Sequence, residues 1–142
     1  MSDFKPRLSA EQFNTRNLGH LSHTLGIRFV SMDGDGARAE LPVATSVMAP
    51  NGFLHAGAVV SLADSACGLG CVAHLPEGAS GFTTIELKSN HLGTAREGVV
   101  EVLARPVHLG RTTQVWDATV THRETGKTIA LFRCTQMILW PK

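Results

Sequence analysis

Asp64 is the one charged residue between Asn51 and Ala73, in a stretch, NGFLHAGAVVSLADSACGLGCVA, that is otherwise apolar, small or neutral. A carboxylate can act on water as a general base or attack directly as a nucleophile, but burying one without partners is costly. Its position therefore demands a hydrogen-bonding neighbour or a cleft. From Ala58 to Ala73 the apolar residues fall on every face, the pattern of a helix buried on most sides. At 3.6 residues per turn Ser61, Asp64, Ser65 and Gly68 share one face, a narrow polar or small-residue stripe that could border a site. The same stripe fits a plainer role, in which Asp64 caps a neighbouring segment or reaches solvent.

Other chemistry-bearing residues are sparse. Cys67, Cys71 and Cys134 are an odd number with no C-x-x-C pair, which argues against a disulfide framework or zinc ribbon. Cys67 and Cys71 stand at i, i+4 on the central helix and read as small core residues. His20 and His23, without a third ligand nearby, do not make a metal site, and no metal is expected.

The elements around the helix follow from turn signals and alternation. Ser9 to Asn17 begins with a Ser N-cap candidate and predicts a short helix ending near Gly19. Leu25 to Met32 and Ala37 to Val43 flank the turn DGDG and predict a hairpin. After the helix, the loop HLPEGASG leads to strands over Phe82 to Leu92, Val99 to Leu109, Thr112 to His122 and Thr128 to Trp140. Trp116, Ala118 and Val120 share one face. In the last strand Ile129, Leu131, Met137 and Leu139 are expected to form the apolar face. The order predicts an α+β domain in which an antiparallel sheet curls around one long helix. Gly68 and Gly70 suggest a close approach of strand backbones to that helix, and open sheet edges suggest edge-to-edge dimers.

With 142 residues, 43% hydrophobic, the chain fits one domain over 1–142, with 1–24 an N-terminal helical segment. Its 13 basic and 12 acidic residues give a net charge of +1, so electrostatic binding to nucleic acid is not suggested. No stretch reaches the roughly 18 apolar residues, free of charge, of a membrane span, and the N-terminus lacks a signal-peptide core. A soluble, cytoplasmic protein is expected.

The motif N-x-x-x-H-x-G from Asn51 to Gly57, followed seven residues later by Asp64 in a buried helix, resembles the hotdog-fold acyl-CoA thioesterases, and within them the PaaI-type (phenylacetate-pathway) branch. The resemblance extends in element order over Leu25 to Leu139. It implies a dimer, commonly paired into a tetramer, with active sites at the subunit interface. It also implies that Asn51 and His55 contact the thioester region, that the Ala56 N–H polarises the thioester carbonyl, that Asp64 is the catalytic carboxylate and that Thr84 positions water. Thr83 and Ser89 are rivals for that last role. The family usually has His-Gly-Gly where this chain has His55-Ala56-Gly57, so the Ala56 methyl narrows the approach to the donor.

Hydrolysis of a thioester needs stabilisation of the developing oxyanion. The first N–H groups of a helix lack internal partners and carry partial positive charge, so Ala56 and Gly57 suit that task. Coenzyme A is part of the substrate, and no separate cofactor is expected. For its nucleotide end the turn Gly110-Arg111-Thr112 is the first candidate, with Arg105 and Arg96 as alternatives. A hotdog hydratase or dehydratase is the alternative enzyme, and a non-catalytic acyl-CoA-binding protein the alternative of another class. The loop motif favours the thioesterase. By this reading about 24 residues precede the first strand, too few for a helix-turn-helix domain.

Overall fold

The computed structural model describes residues 4–142. Ser9 caps helix α1, Ala10–Arg16, through a capping box in which its hydroxyl accepts from the Gln12 N–H and the Gln12 side chain accepts from the Ser9 N–H. A second short helix that the sequence reading did not anticipate, α2, Leu21–Leu25, ends on Gly26 with φ +91°. Strands β1, Arg28–Asp33, and β2, Gly36–Pro42, form the expected hairpin. A 3₁₀ turn, Thr45–Val47, then leads to the long helix α3, Ala56–Ala73, which starts two residues before the apolar run and is capped by His55. Four strands follow: β3, Gly81–His91; β4, Val99–Leu109; β5, Thr113–His122; and β6, Thr128–Leu139.

All six strands join one antiparallel sheet in the order β1-β2-β4-β5-β6-β3, with α3 packed against every strand. The sheet thus wraps the helix, as a rod apolar on all sides requires. By length and composition α3 could cross a membrane even with Asp64 in it, contrary to the expectation that no stretch would, but most of it is buried inside this sheet. It is the core of a folded domain.

Two expectations change. On β6 the core face is Ala130, Phe132, Cys134, Gln136 and Ile138, all buried, whereas Leu131, Met137 and Leu139 point outward and are exposed. Pairing decides this. Cys134, Phe132 and Ala130 lie opposite Trp116, Ala118 and Val120, and paired residues share a face. The outer face carries the Arg133–Asp117 ion pair. At Gly68 and Gly70 the close neighbours are aromatic rings rather than strand backbones: a Cβ at Gly70 would lie 2.5 Å from the Trp116 ring, and one at Gly68 3.3 Å from Phe82.

The strand β3 forms one edge of the sheet, opposite β1. Its register against β6 slips between Thr84 and Glu86, a β-bulge that reverses which residues face inward. Before it Phe82 and Thr84 lie opposite the inward Ile138 and Gln136; after it Leu87 and Ser89 lie opposite the inward Cys134 and Phe132.

Candidate functional site

The first turn of α3 is held open by its own cap. His55 has extended backbone, and its Nδ1 accepts from the Gly57 N–H at 2.7 Å. As an acceptor Nδ1 carries no proton, so the neutral ring has its hydrogen on Nε2. The ring also explains Gly57: a Cβ there would lie 2.9 Å from Nδ1. Of the two backbone donors expected to serve an oxyanion, Gly57 is therefore engaged by His55. The Ala56 N–H has no acceptor among the described residues. Asn51, four residues earlier, accepts from the Phe53 N–H at 3.1 Å and shapes the loop, which Gly52 turns with φ +83°. Hydrogen bonds from Leu54 to the Ala95 carbonyl and from His55 to the Val47 carbonyl fix this loop to the body.

Asp64 lies eight residues further on, about 12 Å along the axis at 1.5 Å per residue, and is half-buried. Its neighbours on the stripe are already engaged. Ser61 donates to the Gly57 carbonyl of its own helix at 2.8 Å, and Ser65 meets Ser22 of α2 at 2.9 Å. Ser65 thus supports α2 packing rather than the carboxylate. The Thr84 hydroxyl stands 3.5 Å from Asp64 Oδ1 and 2.7 Å from Gln136 Oε1. Burial pushes the Asp64 pKa above the usual carboxylate range, and a hydrogen bond from Thr84 lowers it only to the extent that the hydroxyl turns to Asp64 rather than to Gln136. Of the rivals, Thr83 pairs with the outward Met137, and Ser89 faces inward with its hydroxyl buried and unpartnered. The bulge is what aims Thr84 at Asp64.

A cavity of about 290 Å³ adjoins the start of α3, lined by Leu21, Leu25, Val47, Met48, Ala58 and the His55 side, with Ser46 and Ser61. Leu21, Leu25 and Met48 escaped the sequence reading because α2 and the 3₁₀ turn lack a strong periodic signal. Gln136 escaped it too. A glutamine interrupting an apolar strand was the available sign.

The candidate phosphate ligands are spread out. Gly110, Arg111 and Thr112 form the β4–β5 turn, where the Arg111 guanidinium lies 4.3 Å from the Trp140 ring centroid and the Arg111 carbonyl accepts from Trp140 Nε1. Trp140 is close to Gly78, just past the end of α3, so within one chain this turn lies at the far end of the helix from Ala56. Arg96 stacks over Phe53 at 4.4 Å, beside Asn51. Arg105 donates to the Asp35 carbonyl of the β1–β2 hairpin. One chain therefore does not bring Ala56, Asp64 and Arg111 to one place.

Comparison with known proteins supplies the family. The model of the Thioesterase superfamily matches residues 51–129, the span from the Asn51 loop to the start of β6. The chain is 35% identical over 138 residues to the 1,4-dihydroxy-2-naphthoyl-CoA hydrolase of Escherichia coli K12, covering 96% of this chain and 98% of that one. It is 29% identical to the proofreading thioesterase EntH of Cronobacter turicensis, covering 96% and 98%. Among solved structures, a mutant thioesterase from Pseudomonas aeruginosa superposes with a TM-score of 0.90 at 33% identity, covering 97% of this chain and 99% of that one. The Escherichia coli PaaI protein superposes with a TM-score of 0.78 at 25% identity, covering 92% and 93%. With its curled sheet around one helix and its match from Asn51 onward, the chain belongs to the thioesterase superfamily and is a hotdog-fold thioester hydrolase.

Proposed function

We propose that the protein hydrolyses an aryl- or medium- to long-chain acyl-CoA at sites shared by two copies of the chain, with Asp64 as general base and the Ala56 N–H as oxyanion donor. The observation that carries this reading is the separation of the two groups. The free N–H at the helix start and the half-buried carboxylate sit about 12 Å apart on one helix, too far to serve a single carbonyl. Asp64 lies instead beside Thr84 on the edge strand β3. A two-fold pairing of β3 with its copy runs the two α3 helices antiparallel, which carries Asp64 of one chain towards Ala56 of the other. The same pairing carries the Arg111 turn towards the partner's helix start, where Gly110, Arg111 and Thr112 meet the nucleotide phosphates.

In this mechanism the thioester oxygen accepts from the Ala56 N–H at the positive end of α3. Asp64 takes a proton from water, and the hydroxide adds to the carbonyl carbon. The tetrahedral intermediate collapses, the C–S bond breaks, and coenzyme A leaves as thiolate. The products are the free acid and coenzyme A. No cofactor enters. The raised pKa of Asp64 suits a base, His55 and Asn51 hold the loop in place, and the apolar cavity beside Ala56 receives the acyl chain or ring. Two such dimers assemble into a tetramer.

The test is a panel of aryl-CoAs and C4 to C16 acyl-CoAs assayed with a thiol-reactive dye, on the native protein and on Asp64→Asn. Native turnover with loss of at least about a hundredfold in Asp64→Asn, binding retained, is the expected result. An active Asp64→Asn enzyme sinks the reading.

A further inference from the structure

We propose that Gln136 is a positioning residue of this site: its amide oxygen accepts the hydrogen bond donated by the Thr84 hydroxyl, so that Thr84 presents its oxygen, not its O–H, to Asp64. This rests on the reading of Asp64 as the base.

The argument begins with two buried glutamines. Gln114 and Gln136 are paired across β5 and β6 and are both fully buried. Burying an amide is favourable only if it is well bonded. Gln114 is bonded at both ends to the scaffold, accepting from Trp116 Nε1 at 2.8 Å and donating to the His74 carbonyl at 3.1 Å. Its role is structural. Gln136 has one strong bond, to Thr84 at 2.7 Å, and its Nε2 finds only Cys134 Sγ at 3.5 Å. An apolar side chain of equal length would pack as well, so the amide is explained by what it does to Thr84.

Thr84 has one hydroxyl proton and two acceptors before it, at 2.7 Å and 3.5 Å. The nearer acceptor holds it. The donors then point in one direction, from Thr84 to Gln136, with a lone pair of Thr84 left facing the carboxylate. When Asp64 receives the proton of water, its new O–H donates to that lone pair, completing a chain from Asp64 through Thr84 to Gln136. The arrangement favours the protonated acid, which makes the carboxylate a stronger base.

No cation confuses the reading within the chain. Of the elements packed on α3, α2 presents Ser22, which is engaged by Ser65. The inner faces of β1, β2 and β4 present apolar core side chains, and β5 adds Gln114 at one end and His122 at the other, where the His122 ring is engaged by Thr125 and the Glu97 carbonyl. The titratable neighbours are Cys67 on α3 and Cys134 on β6. The Cys67 thiol is pushed well up by its contact with Cys134 and by burial, and stays neutral.

The experiment reads the acid limb of kcat/KM against pH. Gln136→Met keeps the packing and removes the competing acceptor, so the Thr84 O–H turns to donate its hydrogen bond to Asp64. The limb is then expected to move to lower pH by about half a unit or more, with a plateau kcat about tenfold lower. In a Thr84→Val background the same substitution is expected to move the limb no further. A limb that stays put in Gln136→Met, or moves equally without Thr84, overturns the proposal. Thr84→Ala, on the half-exposed edge strand, supplies an independent sign even if Gln136→Met fails to fold. Removing a lone pair leaves the limb unchanged or lower, whereas a limb that rises means Thr84 was donating to Asp64 and overturns the proposal. These outcomes leave the role of Asp64 intact; retained turnover in Asp64→Asn overturns that role instead.

Discussion

The Gly57 N–H donates to His55 Nδ1 at 2.7 Å, and the ring of His55 occupies the space where a side chain at Gly57 would stand. The histidine thus caps α3 with its own side chain and leaves Ala56 as the free donor. Gly57→Ala is expected to push the ring out, lose the cap at a cost of about 1 kcal/mol, and lower kcat more than it changes KM. Calorimetry and steady-state kinetics on the variant check both. Unchanged stability would mean that the cap contributes nothing.

Asp64 has a sign that stability can read. Burial raises its folded-state pKa above the unfolded one, so the native state binds the proton more tightly and stability falls as pH rises from the ordinary carboxylate value through the raised one. Asp64→Asn removes that loss. Its Tm is expected to exceed that of the native protein at pH 7 and to converge with it below about pH 4. A variant less stable at pH 7 would contradict the burial cost.

Trp116 and Gly70 test the core. A Cβ at Gly70 would meet the Trp116 ring at 2.5 Å, and that ring is fully buried and tethered to Gln114. Gly70→Ala is expected to destabilise by about 2 kcal/mol despite better helix propensity, lowering Tm by roughly 5 °C. Gly68→Ala, facing the half-buried Phe82 at 3.3 Å, should be close to neutral. Equal effects at the two sites would show that ring contact is not the cause.

The edge strand carries the assembly prediction. Ile85 is 52% exposed at the bulge of β3. Ile85→Lys is expected to give a folded monomer without turnover, as sedimentation, circular dichroism and assay together would reveal. A fully active monomer would refute the shared site.

Arg111→Ala should raise KM for acyl-CoA several-fold and leave kcat unchanged, and rising salt should raise the native KM in the same way. If KM does not move, Arg96, stacked beside the Asn51 loop, becomes the phosphate ligand to test.

Much of this molecule was legible residue by residue. Ser9 with Gln12 marked the first helix, DGDG the hairpin, and the run after Ala58 a buried rod with one acid in it. The β6 face was not legible by alternation, because Leu131, Met137 and Leu139 make the outer face as greasy as the inner one. A strand apolar on both sides carries no parity signal. Arg133, which falls between Leu131 and Met137 at the same parity, is the residue that marks that face as outward. The position of Thr84 was legible only as one of three candidates, since a bulge changes parity without changing composition.

Local chemistry alone determined the first helix, the long helix and the six strands, though not α2 or the 3₁₀ turn, together with the motif Asn51, His55, Gly57 and Asp64 and the need for a curled sheet: apolar periodicity, turn residues and helix-end donors are properties of neighbours in sequence. Tertiary structure decided which groups are free to act. His55 takes up the Gly57 donor and leaves Ala56 open, Ser22 takes up Ser65, and the β3 register brings Thr84 between Asp64 and Gln136 from strands far apart in the chain. Hydrogen-bond competition of this kind depends on distances between groups that only the packing of β3, β6 and α3 sets, and one proton shared between two acceptors goes to the nearer.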